Sequence, residues 1–223
     1  MTDIQTLLIW VIPVLFAITV HETAHGWVAS KLGDHTARMM GRLTLNPIKH
    51  IDPVGTILVP ALLYLSSAGF LFGWAKPVPI NFSALRSPKK DMLWVALAGP
   101  GVNLLMAIGW LIIVAIANTL NIPFLEFMGG AGIFVNLLLA IFNLLPIPPL
   151  DGGRVISSLL PGRLAYQYDQ LEPYGLFILV GLLFLGVFQN IIWPIIYSLL
   201  VGLSNLSDLN LVNLIVVDLL RLS

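Results

Sequence analysis

Apolar residues run nearly unbroken over residues 7–30, 93–117, 131–150 and 174–193, with polar and charged residues gathered between the runs. Each run is close to the ~20 residues a helix needs to cross about 30 Å of hydrocarbon. Four spans are therefore predicted. A fifth run, residues 54–73, is interrupted by Pro60, Ser66, Ser67 and Gly69 and flanked by polar residues 46–52 and 76–90. It reads as a segment that dips into the membrane without crossing. Residues 195–203 and 209–220 are apolar but short, and Pro194 is predicted to kink or turn the chain ahead of them. The pattern predicts an all-α polytopic membrane protein. Its fold is a bundle of about four to six transmembrane helices with a re-entrant, short irregular or β segment.

Charge supports the re-entrant path. If residues 54–73 crossed, Lys31, Arg38, Arg42 and Lys49 would lie on one side and Lys76, Arg86, Lys89 and Lys90 on the other. A re-entrant path gathers all eight, and the following spans bring Arg154 and Arg163 to the same side. Residues 118–130, without Lys or Arg, then face outward together with the N-terminus. Composition agrees: 58% of residues are hydrophobic, 10% are charged and the mean hydropathy is +0.94. Soluble domains carry about 25% charged residues. Residues 1–223 are expected to form one integral-membrane domain, with a core over about 7–172 and C-terminal membrane helices over about 173–223. Acidic and basic residues balance at 11 each without a basic stripe, which argues against nucleic acid as a partner. The first six residues carry Asp3 and no Lys or Arg, so the first span is read as retained rather than as a cleaved signal.

Within the first span stands His21-Glu22-Thr23-Ala24-His25. Residues four apart share one helix face, so both imidazoles can reach one metal ion, with Glu22 beside it. Ionisable side chains are costly at membrane depth and indicate function there. The chain has no cysteine, so zinc must be held by His, Asp or Glu. A hydrolytic zinc takes three protein ligands and keeps one position open. The extended pattern HExxHxxGxxH fails, because Val28 and Lys31 stand where it needs Gly and His. His35, His50, Glu126, Asp151, Asp169 and Glu172 are candidates for the third ligand. Glu126 falls at the outward end. Asp151 arrives at the depth and side of His21 and His25, after Pro146, Pro148 and Pro149 break the preceding span and before Gly152 and Gly153 permit close approach.

HETAHG, the run Asn143 to Arg154 (NLLPIPPLDGGR) and the stretch Leu97 to Leu104 (LAGPGVNL) together resemble the site-2 protease family of intramembrane zinc metalloproteases. Arg42 to Thr56 and Gly73 to Asn81 are similar to its compact prokaryotic branch. The resemblance covers residues 1 to about 175 and implies one Zn2+ per chain, held by His21, His25 and Asp151, with Glu22 as catalytic acid/base and Asn143 near the reacting carbonyl. It implies transmembrane proteins as substrates, in a lipid bilayer, here expected to be the prokaryotic cell membrane with the active site towards the cytoplasm. The chain has no room for the PDZ or CBS modules of many relatives.

The residues suit peptide hydrolysis in their own right: zinc activates water, Glu22 moves the proton, and an amide such as that of Asn143 can meet the oxyanion. A substrate helix must unwind first, and strand addition to an edge supplied by the irregular segments before or after residues 54–73, such as the extended-looking stretch Lys76 to Asn81, would pair its freed backbone. A metal transporter or a silent helix-binding protein are the other classes; neither gives a reason for glutamate directly after the first histidine. His35 is read as solvated in a polar turn, and His50 and Asp52 as part of a structured cap near the site, outside the ligand set, with their roles open. Gly99, Gly101 and Ala107 are expected to mark close helix packing. Trp10, Trp94, Trp110 and Trp193 are expected to be interfacial anchors or packing residues.

Overall fold

The computed structural model describes residues 2–66 and 73–220. In chain order its α-helices are α1 (Asp3–Lys31), α2 (Thr36–Met39), α3 (Val59–Leu65), α4 (Pro88–Leu120), α5 (Pro123–Asn143), α6 (Asp151–Leu159), α7 (Gly162–Asp169), α8 (Gly175–Phe184) and α9 (Trp193–Ser207). Among the described residues, helices α1, α4, α5 and the stretch Phe188–Ser207 that contains α9 are the 4 long and apolar enough to span a membrane. No strand occurs among the described residues.

Local chemistry sets the helix ends. Thr2 and Gln5 form a reciprocal capping box at the start of α1: Gln5 N donates to Thr2 Oγ1 (3.3 Å) and Thr2 N donates to Gln5 Oε1 (2.9 Å). Asn121 closes α4 in the left-handed region (φ 55°), and Pro123 occupies the first position of α5, where its missing N–H leaves no bond unmade. The two helices thus form a tight antiparallel hairpin. α5 is the central helix, with 56% of its apolar window buried against 28%, 33% and 17% for the other three. Its Ile133 and Leu137 join Ala17 of α1, Trp110 and Val114 of α4 and Ile196 of α9 in the main core. The apolar side chains left outside, such as Leu7, Phe16, Leu105 and Ile112, form a surface suited to lipid rather than water.

The third and fourth apolar runs differ most from what the sequence predicts. The third span begins at Pro123 and ends at Asn143 rather than covering 131–150. Its glycines look like a boundary in sequence but lie inside the helix. A methyl group at Gly132 would fall within the indole of Trp110, so the bare backbone lets α4 and α5 close on each other. The fourth apolar run is not one span over 174–193. α8 has ten residues, Gly186 turns the chain at φ 74°, and the membrane-length helix begins at Phe188. Pro194 does not form a hairpin between elements; it lies in the first turn of α9, inside the continuous helical stretch Phe188–Ser207.

The weak run 54–73 starts as the helical residues Pro53–Leu58 and α3; residues 67–72, including Ser67 and Gly69, lie outside the described residues. The chain returns to its point of departure. Trp74 N donates to Gly55 O (3.1 Å), and Thr56 Oγ1 donates to Trp74 O (2.8 Å). The two ends of the segment therefore share one place, which a crossing segment cannot do.

Candidate metal centre

On α1, the four-residue spacing carries His21 and His25 onto the face packed against α4, where each is 6% exposed. Their Nδ1 atoms have separate partners: Asn103 Oδ1 for His21 (2.5 Å) and Val95 O for His25 (2.7 Å). A carbonyl oxygen can only accept, so each Nδ1 carries hydrogen and each neutral ring leaves its Nε2 lone pair free. The two Nε2 atoms are 3.0 Å apart. Asp151, the first residue of α6, brings Oδ2 to 3.2 Å from both.

Lone pairs so placed repel unless a cation lies among them. Asp151 Oδ2 is buried without a hydrogen-bond donor, as a ligand oxygen would be. Zinc with bonds of about 2.0 Å in tetrahedral array separates its ligands by about 3.3 Å, close to the spacings seen here. Gly99 forms the floor: a Cβ there would stand 2.6 Å from His21 Nε2 and closer still to His25 Nε2. The three donors and the bare floor fit a zinc ion. His21, His25 and Asp151 are the one group of this kind among the described residues.

Glu22 is half-buried, and its Oε2 accepts the Val78 N–H (2.7 Å). Val78 belongs to the extended stretch Gly73–Asn81, which is tied down on several sides. Lys76 N donates to His50 O (2.9 Å), Arg42 donates to the carbonyls of Lys76 and Pro77, and Asn81 N donates to Asp34 Oδ2 (2.7 Å). Pro77 and Pro79 have no N–H, so three of the four backbone donors of Lys76 to Asn81 are already spent. A strand added along Lys76 to Asn81 would therefore have to pair mainly with the carbonyls of Val78, Pro79 and Ile80 and the Ile80 N–H.

Asp34 is the stretch's charged anchor. Burial pushes its carboxyl up, but hydrogen bonds from the Thr36 hydroxyl and backbone and from Asn81 N outweigh this and hold it below the ordinary value of 3.8. A depressed carboxyl pKa stabilises above the unfolded value and loses that contribution as pH falls through the folded one. Amide exchange at Asn81, corrected for its intrinsic pH dependence, should therefore accelerate below about pH 4 and be steady between pH 5 and 8. Equal protection on both sides of pH 4 would refute the anchor.

The other ligand candidates lie elsewhere. His35 pairs with Ser30 Oγ (3.1 Å), and Asp169 accepts from Ser157 (2.9 Å). Glu172 lies 3.7 Å from Arg154, and Glu126 occupies the first turn of α5, at its far end. His50 Nε2 donates to Thr44 O (2.9 Å), which also accepts from Thr23 Oγ1, so His50 fastens the cap to α1. Asp52 caps the helical turn after it, accepting from Val54 N and Gly55 N. Asn143 ends α5 and donates one N–H to Leu139 O (2.9 Å). Gly101 has open space around its Cα, which corrects its reading as a packing position, and Gly99 approaches the histidines rather than a neighbouring backbone. Trp10 and Trp193 stack edgewise on Phe134, Trp110 is buried, and Trp94 is 62% exposed. Sequence reasoning missed Asn103 and Asn136, although an amide inside an apolar span is itself a signal.

A metal cradle with a glutamate one residue away, held between membrane-length helices, defines the class: a membrane-embedded metallopeptidase. Residues 113–186 match peptidase family M50. The chain is 39% identical over 193 residues to the protein named "Putative zinc metalloprotease YwhC" of Bacillus subtilis (strain 168), covering 83% of this chain and 84% of the relative. It is 29% identical over 185 residues to "Putative zinc metalloprotease Rip2" of Mycolicibacterium smegmatis, covering 82% of this chain and 69% of the relative. No solved structure matches the chain. The chain belongs to peptidase family M50, and it is a zinc metalloprotease with membrane-spanning helices. That membership does not favour the transporter or silent-binder alternatives.

Proposed function

We propose that this enzyme hydrolyses peptide bonds within or near the transmembrane segments of membrane-protein substrates, using one zinc held by His21, His25 and Asp151. The observation that carries this reading is the convergence of three lone-pair donors at 3.0–3.2 Å inside a bundle whose outer surface is apolar. When bound, zinc supplies a Lewis acid that makes water nucleophilic near neutral pH. Glu22 takes the proton from the attacking water and returns it to the departing amine. The Val78 N–H holds one oxygen of that carboxylate and leaves the other for the proton. Asn143 has a second amide N–H beyond the one given to Leu139, and this donor serves the substrate carbonyl as negative charge develops.

The active site faces the cytoplasm of a prokaryotic cell. Lys31, Arg38, Arg42, Lys49 and Lys76 lie at the same end of the bundle as His25, while the α4–α5 turn at the other end has no Lys or Arg. Purified enzyme incubated with single-span substrates should release fragments whose ends map within or near the spans by mass spectrometry. A chelator should abolish cleavage and added zinc should restore it. Cleavage confined to soluble tails, or cleavage that survives full chelation, would overturn the proposal.

A further inference from the structure

Asn103 and Asn136 are completely buried, on α4 and α5, and form an unbroken chain that ends on His21. Its direction is fixed from the far end. Gly132 O can only accept, so Asn136 must turn its Nδ2 towards it (2.8 Å), which aims Asn136 Oδ1 at Asn103. Asn103 must then offer Nδ2 to Asn136 (2.7 Å) and present Oδ1 to His21 Nδ1 (2.5 Å). An amide alone is ambiguous, because its oxygen and nitrogen ends have nearly the same shape. Here a backbone carbonyl removes the ambiguity two side chains away.

We propose that Asn103 and Asn136 are positioning residues of the metal centre: they relay the polarity of the Gly132 carbonyl to His21 and keep its hydrogen on Nδ1, so that Nε2 stays free for metal. The inference rests on the proposed ligand role of His21. If Asn136 lost its hold on Asn103, the Asn103 amide could turn and offer N–H to His21 Nδ1. The ring would then carry its hydrogen on Nε2, pointing into the cradle. His25 needs no such relay, since Val95 O fixes it directly. Interhelical adhesion alone would require the two amides to pair, but would not require the chain to start on a carbonyl and end on a ligand.

Zinc affinity by competition with a chromophoric chelator, together with the visible absorption of the cobalt-substituted protein, tests the relay. Asn103→Leu and Asn136→Leu should each weaken zinc binding about 10- to 100-fold, the range found for groups that orient metal-ligating histidines. Both should also alter the cobalt bands. Asn103→Asp and Asn136→Asp should stay within about threefold of wild type. A neutral carboxylic acid presents one acceptor and one donor in the same order as the amide, and a carboxylate at either place still only accepts on the side that sets the His21 proton. A purely structural role would give no such rescue in affinity.

Wild-type affinity and cobalt spectrum in either folded leucine variant would overturn the proposal, as would an Asn136→Asp protein as weak as Asn136→Leu. Asn136 touches no ligand, so its pair of variants decides the matter even if Asn103→Leu does not fold. His21→Ala separates the two readings. Zinc bound normally by His21→Ala sinks the ligand assignment, whereas zinc lost there but unchanged in both leucine variants sinks only the relay.

Discussion

Glu22→Gln protein should bind zinc as wild type does and cleave substrate at least 100-fold more slowly. The amide keeps the shape of the side chain and still offers an oxygen to the Val78 N–H, so the stretch over the site stays anchored. What it cannot do is take a proton from water. General acid–base groups contribute about 10²–10⁴ in rate, or about 3–5 kcal/mol of barrier. None of that depends on holding the metal, because Glu22 is absent from the set of converging donors. Metal content by mass spectrometry and initial cleavage rates on the same preparation decide the point. Cleavage within tenfold of wild type at full zinc occupancy would remove Glu22 from the chemistry. Equal loss of zinc and activity would make it a ligand or a folding residue instead.

Residues that act within one helix turn were readable from the sequence, while those that depend on a neighbouring helix were not. His21 and His25 are linked by helix periodicity alone; span counting makes Asp151 a candidate at their depth, the family resemblance gives it the ligand role, and the structure brings the three side chains together. The re-entrant path came from the distribution of Lys and Arg, and the bond from Trp74 to Gly55 gives its geometry. The third span starts earlier than hydropathy suggests because Gly129 and Gly132 lie inside the helix against Val114 and Trp110 of α4, and Gly130 against Leu214 and Leu219. Residues 174–193 are apolar apart from Gln189 and Asn190, so hydropathy does not show that Gly186 turns the chain at positive φ. Asn103 and Asn136 lie 33 residues apart in different spans. Only the packing of α4 on α5 makes them one device.

Gly99 shows that difference most sharply, and it predicts the largest effect of a single methyl group. In a helix interior, alanine for glycine is favoured by about 1 kcal/mol, so Gly99→Ala should preserve or strengthen α4. Yet the new Cβ would stand 2.6 Å from His21 Nε2 and nearer to His25 Nε2, where the proposed ligand atoms converge. Neither ring can retreat freely, because Asn103 holds one and the Val95 carbonyl the other. Zinc affinity and cleavage should therefore fall together, by more than about 100-fold, a larger loss than changes around the ligands produce. Gly101→Ala is the matched control: it lies two residues away in the same helix with open space beyond its Cα, and should leave both zinc and cleavage unchanged. If Gly99→Ala bound zinc and cut substrate like Gly101→Ala, the cradle would have to lie elsewhere. If both variants failed alike, α4 would be intolerant of alanine for reasons of packing. Only failure at Gly99 with normal behaviour at Gly101 matches a metal seated against that backbone.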